Sequence, residues 1–252
     1  MTDFGPIAWV AVFYEIGIIW VLGVLSGLAI KRYMAKKNKL VRLLTTMFLF
    51  YFGAVVFSLV SKVINAVWGG VPYLALDPAG LWIVSRLHAG RFSFVCVIIS
   101  TLFAYEFKVN VFHDGKHKKI MRILLYVASV VSIAYQIFVY EFDVSKPGAN
   151  QLLEVLGFAD MLLLTAAVYI PFLKEAYRTW SRLSEPKYKQ AFRSLIIMAI
   201  GFISIFVCFL LDRVMLIVAD WPYSIFYFMA WVCAIIAIYS GYRGYLYPKT
   251  KV

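Results

Sequence analysis

Acidic residues, and charge of any kind, are scarce in this 252-residue chain: Asp and Glu number 13, charged residues make up 15%, and only three cysteines and three histidines occur. Soluble globular domains carry about 25% charged and about 45–50% apolar residues. With 63% hydrophobic and 18% aromatic residues and a mean hydropathy of +0.82, the composition excludes a soluble enzyme, a disordered regulator and a disulfide scaffold. Cys96, Cys208 and Cys233 lie inside apolar runs without a CxxC or Cys/His cluster. They read as packing residues, and neither a disulfide framework nor a zinc site is expected. HExxH, GxSxG and Walker sequences are missing, as is a paired-His arrangement across two helices for a b-type haem. No cofactor, metal or catalytic residue is therefore expected, which disfavours an intramembrane hydrolase or a haem-carrying subunit.

What is present is a set of long apolar runs. A membrane-crossing helix needs about 20 mostly apolar residues, and seven stretches qualify: 7–30, 41–65, 81–107, 120–141, 151–174, 192–219 and 222–243. The first is too long for the 7–15-residue core of a signal peptide. Asp220-Trp221-Pro222 separates the last two, since proline there breaks a helix. The alternation of a transmembrane strand is absent. The expectation is an all-α polytopic membrane protein, one seven-helix domain over residues 1–252 with no soluble domain, sited in the cell membrane.

Basic residues mark the direction, because short cytoplasmic loops hold an excess of Lys and Arg. Lys31–Arg42, Lys108–Arg122, Lys174–Arg193 and the tail carry six, five, six and three of them, 20 of the 25 in the chain. The alternate loops are nearly bare. This pattern places the N-terminus outside and the C-terminus in the cytoplasm, and it attributes the +12 net charge to topology and anionic headgroups, with no nucleic-acid partner. Lys31, Arg32, Lys36, Lys37, Arg178, Arg182, Lys187 and Lys189 are the expected contacts with lipid or with a separate protein partner. Gly53, Gly90, Gly157 and Gly201 are small residues suited to close helix contact.

Ionisable residues within a span cost roughly 2.5–3.5 kcal/mol at the helix centre and are functional-site candidates by default. Here they are Glu15, Lys62, Arg86, His88, Arg91, Asp160, Asp212 and Arg213. All eight fall in the outer half of the expected bundle; Glu15 lies about 12 Å and Asp160 about 14 Å along its helix. A continuous third helix puts His88 and Arg91 on one face and Arg86 about 160° from His88. Arg91 and Asp212 form a candidate ion pair, while Glu106 sits at a helix end and takes no special role. His113 and His117 share an i, i+4 spacing, but Asp114-Gly115 between them reads as a turn.

Three functions suit these residues. In a sensor of receptor type, the eight charges line an outward-facing pocket for a small anionic or zwitterionic ligand, since Arg offers paired donors to carboxylate or phosphate. Its output passes through Lys174–Arg193, read as a basic loop interrupted at Pro186. A small-anion transporter or channel would use the same arginines for selection. In a non-catalytic subunit of a larger assembly, the charges would only fix helix register. Three arguments favour the sensor: the charges lie on one side, the span count is seven, and catalytic motifs are missing. Against this, the receptor-type Asp-Arg-Tyr and Asn-Pro-x-x-Tyr sequences and a lysine in the last span for retinal are absent.

Overall fold

The computed structural model describes residues 5–68, 78–113, 119–139, 147–219 and 223–246. They form eight α-helices: α1 Gly5–Lys36, α2 Lys39–Trp68, α3 Pro78–His88, α4 Arg91–Phe112, α5 Lys119–Ala134, α6 Pro147–Arg182, α7 Pro186–Ala219 and α8 Ile225–Gly241. Seven spans, built from all but α3, are long and apolar enough to cross a membrane, α5 and α8 doing so together with the π turns that follow them. The count of spans matches the sequence reading; the boundaries differ in instructive ways. The separator Asp220-Trp221-Pro222 lies outside the described residues.

The expected third span, 81–107, is two helices. Gly90 adopts φ +67°, a left-handed conformation open to glycine, and α4 restarts at Arg91. The helical-wheel placement of Arg86, His88 and Arg91 fails for that reason: no single wheel covers all three. Two expected loops also shrink to short connections. α1 runs to Lys36 and α2 starts at Lys39, with the Asn38 side chain accepting the Leu40 N–H at 2.8 Å as an N-cap. Most of Lys174–Arg193 is helix, because α6 continues to Arg182 and Pro186 occupies the first position of α7, where a missing N–H costs nothing.

Contacts give the arrangement. α1 and α2 are antiparallel, since Ser58 bonds Glu15 near one end and Thr45 bonds the Ala29 carbonyl near the other. α2 runs antiparallel to α4, with Ser93 Oγ on the Ala54 carbonyl at 2.7 Å and Ser100 Oγ on that of Met47 at 2.9 Å. Such side-chain-to-carbonyl bonds join helices where the hydrophobic effect cannot. α4 runs parallel to α6, through Phe94–Phe158 and Phe107–Phe172 contacts. α7 packs antiparallel on both α6 and α8, and α8 closes against α1 through Tyr14 and Phe228. α5 sits at the periphery, touching α4 and α6.

The middle of the bundle is apolar and closely packed around Met47, Phe48, Ile98, Met161, Phe202 and Ile205. α7 and α8 approach closely at Gly201, where an added Cβ would lie 2.8 Å from Ala237 Cβ and 3.1 Å from the Cys233 carbonyl. Neither neighbour is a flexible side-chain end. At Gly241 the obstacles are the tips of Met198 and Phe48, which can swing aside. Overpacking costs typically 1–3 kcal/mol, so Gly201→Ala is expected to lower the melting temperature in detergent by more than Gly241→Ala. Equal effects in a thermal-unfolding assay would contradict this account of the α7–α8 contact.

Candidate functional site

The helix break is built by three helices. Ending α3 at His88 leaves its carbonyl without the N–H that a continuing helix would supply. α2 supplies replacements: Ser61 Oγ donates to the His88 carbonyl at 2.6 Å and Asn65 Nδ2 at 3.3 Å. Ser58, Ser61, Lys62 and Asn65 follow the i, i+3, i+4, i+7 spacing of one helix face, so α2 turns a polar stripe toward α1, the break and α8. Sequence reasoning picked out only the charged member, Lys62; the repeat of polar residues in an otherwise apolar run was the available signal.

Two arginines flank the break, and both reach α5. Across residues Tyr135–Val139 that helix widens into a π turn, a feature that recurs at functional sites. Arg86 Nε donates to the Ile137 carbonyl at 3.0 Å, its Nη1 to Ser85 Oγ at 2.9 Å, and its guanidinium stacks over Trp82. Arg91, only 1% exposed, donates from Nη1 to Gln136 Oε1 at 2.7 Å. Gln136 is itself fully buried and donates to the Gly157 carbonyl at 3.3 Å. Gly157 is the position that admits this pair, because a Cβ there would stand 2.9 Å from Arg91 Nη1 and 3.4 Å from both terminal atoms of Gln136. One turn further along α6, Asp160 accepts the Ser132 hydroxyl at 2.9 Å. Gln136 was missed because it carries no charge.

The other candidates form two further groups. Glu15 is 0% exposed; its Oε1 accepts Ser58 Oγ at 2.8 Å and the Tyr227 hydroxyl at 2.5 Å. Lys62 holds its ammonium over the rings of Tyr223 and Tyr227, at 5.4 and 5.6 Å from their centroids. Asp212 accepts both the N–H and the hydroxyl of Ser224 at 2.8 Å each, so it caps the start of α8, and its second oxygen lies 3.9 Å from Arg213. Asp212 is thus engaged by Ser224 and Arg213, and Arg91 by Gln136. His88 contributes its carbonyl, which accepts from Ser61 and Asn65.

The three groups meet on one aromatic cluster. Arg91 lies over Phe94, Arg213 over Phe158 and Lys62 over Tyr227. Phe94 packs edge-on against Phe158, Phe158 against Phe209, and Phe209 against Tyr227 and Trp231. Cations over ring faces gain about 0.5–2 kcal/mol, so the rings contribute to holding each of these positive groups.

At the opposite ends of the helices the charges pair directly, and here the sequence reading of Glu106 is corrected. Glu106 makes a two-point contact with Arg122 of α5, at 2.9 and 3.2 Å, and accepts the Tyr126 hydroxyl at 3.2 Å. Glu175 of α6 meets Lys108 at 3.5 Å and His113 at 3.2 Å, both from the end of α4. His117 and Asp114-Gly115 lie outside the described residues. The eight basic residues expected to face lipid or a partner are on the same ends, at the α1–α2 and α6–α7 hairpins; Lys189 lies over Trp180. Compared with known proteins, the chain matches no family model, no curated relative and no solved structure.

The Arg91–Gln136 contact is testable by a double-mutant cycle. A hydrogen bond to a charged group is worth about 1.5–3 kcal/mol. Gln136→Ala and Arg91→Ala are therefore expected to be non-additive in unfolding free energy by at least about 0.5 kcal/mol.

Proposed function

We propose that the chain is a multi-pass membrane sensor of receptor type whose ligand is a small anion or zwitterion held at the α3–α4 break. The observation that carries this reading is the convergence of Arg86 and Arg91, from either side of the break, on the π turn of α5. Irregular backbone at membrane depth is tolerated where it is buried in protein or lines a water-filled cavity. The start of α4 adds the partial positive charge of a helix N-terminus to the two guanidinium groups, a combination that broken helices use to hold anionic groups.

The remaining parts suit a switch. A break and a π turn are the two places in the site where hydrogen bonding departs from the α-helical pattern, so they are the places where two packings differ least in energy. A ligand binding one packing better shifts the balance by that difference in affinity. The output surface is the pair of basic hairpins, above all α6–α7 with Arg178, Arg182, Lys187 and Lys189, where a separate protein or the lipid surface would read the change. The broken helix also favours a transporter for the same anion. Against that second reading stands the mainly apolar layer of Met47, Phe48, Ile98, Met161, Phe202 and Ile205 between the two sets of charges.

The test is a thermal-shift panel on the full chain in detergent against acetate, glutamate, glycine and inorganic phosphate, followed by flux of any stabilising anion into proteoliposomes. A ligand at 100 times its Kd stabilises the folded state by about 2.7 kcal/mol, and this gain is expected to vanish in Arg91→Ala without flux in the wild type. Flux would replace the sensor with the transporter. Silence across the panel, with Arg91→Ala merely less stable, would reduce the site to a structural network.

A further inference from the structure

Away from the break, the α1–α2 hairpin encloses an open crevice of about 180 Å³ lined by Tyr33, Lys37, Asn38, Lys39 and Arg42. Three of the five residues are cations, contributed from both sides of the connection. From Lys31 to Arg42 the chain carries six basic residues and no acid, so this stretch of sequence is strongly positive. Asn38 spends its Oδ1 on the Leu40 N–H, which leaves its amide nitrogen as a further donor. Lys37 holds φ +46° as the residue that ends α1, with its N–H on the Tyr33 carbonyl at 2.8 Å. That turn is what brings Lys37 and Lys39 to the same opening.

We propose that this crevice binds a phosphate monoester, supplied as the headgroup of an anionic lipid lying along α1. Lysine provides compact point charges and arginine a planar fork, a pairing suited to a doubly charged phosphate. The lipid source follows from the neighbouring surface. Ile30 and Met34, one turn apart, are exposed and apolar, and they lie three residues before Tyr33 and Lys37, which puts them beside the crevice on the side of the apolar run. Tyr33 lies between them in the chain, half-buried, as an aromatic ring at a headgroup boundary does. The second basic hairpin, α6–α7, lacks this arrangement: its connection contains Glu185, and Lys189 is engaged with Trp180. The proposal is independent of the ligand site at the break.

The experiment is native mass spectrometry of the full chain in detergent, titrated with dioleoyl phosphatidic acid, phosphatidylglycerol and phosphatidylcholine, and separately with inorganic phosphate. One phosphatidic acid per chain is expected, bound in preference to the diester lipids. A Lys or Arg near an anionic headgroup contributes about 1 kcal/mol, so Lys37→Gly is expected to weaken binding about five-fold. Glycine suits the left-handed φ of that position, so the turn is kept and the melting temperature serves as the control for folding. Lys37→Gly with Lys39→Gln and Arg42→Gln should weaken binding further, whereas Arg178→Gln with Arg182→Gln and Lys187→Gln should leave it unchanged, as should Arg91→Ala. Equal losses in the two triple variants would attribute binding to the general field of the basic ends and overturn the site, as would wild-type affinity in the first triple variant. Displacement of the lipid by inorganic phosphate at equal concentration would overturn the lipid source.

Discussion

A backbone carbonyl cut off from its helix has no water to turn to in an apolar interior, and the bundle is organised around satisfying such groups at one place. Ending α3 at His88 strands an acceptor where an unsatisfied group costs several kcal/mol. α2 meets that demand with Ser61 and Asn65. The same face of α2 then carries Ser58 to Glu15 and Lys62 to Tyr223 and Tyr227. One polar stripe thus fixes the rotation of α2 about its axis, and with it the faces presented to α1, α4 and α8. The break and the Glu15 group are two consequences of a single helix orientation.

The charges in that half of the bundle are dispersed among dipoles and rings. Arg86 rests on a backbone carbonyl and an indole, Arg91 on an amide and a phenyl ring, Lys62 on two phenols. Glu15 is held by two hydroxyls and Asp160 by one. Dipoles and ring faces restrain a charge in place and fix the direction in which it points.

Much of this architecture was legible because apolar run length translates directly into helix length. The spans at 7–30, 41–65 and 192–219 fall inside α1, α2 and α7. Backbone irregularities were not legible. Pro171, the stronger sequence signal for interruption, lies within an unbroken α6, while Gly90, in a run that reads as continuous, ends a helix. Whether a glycine breaks a helix depends on what waits for the freed carbonyl, and that information sits 27 residues earlier at Ser61. Gln136 stayed hidden for a related reason: a search for charges passes over the neutral group that holds a charge in place. Glu106 looked like a helix-end residue because its partner, Arg122, belongs to the next helix.

The two ends of α4 are therefore held by different physics. At the Phe112 end, Lys108 meets Glu175 of α6 and Glu106 meets Arg122 of α5 in part-exposed ion pairs. At the Arg91 end, the helix begins abruptly after a glycine turn and is held by an arginine–amide bond, whose class is worth about 1.5–3 kcal/mol. The Arg91 end is thus the one where an arginine anchor and irregular backbone coincide. On the sensor reading, a ligand that competes for the Arg91 guanidinium acts on the end of α4 beside the irregular backbone, and the ion-paired end links α4 to α5, α6 and the basic hairpins beyond them.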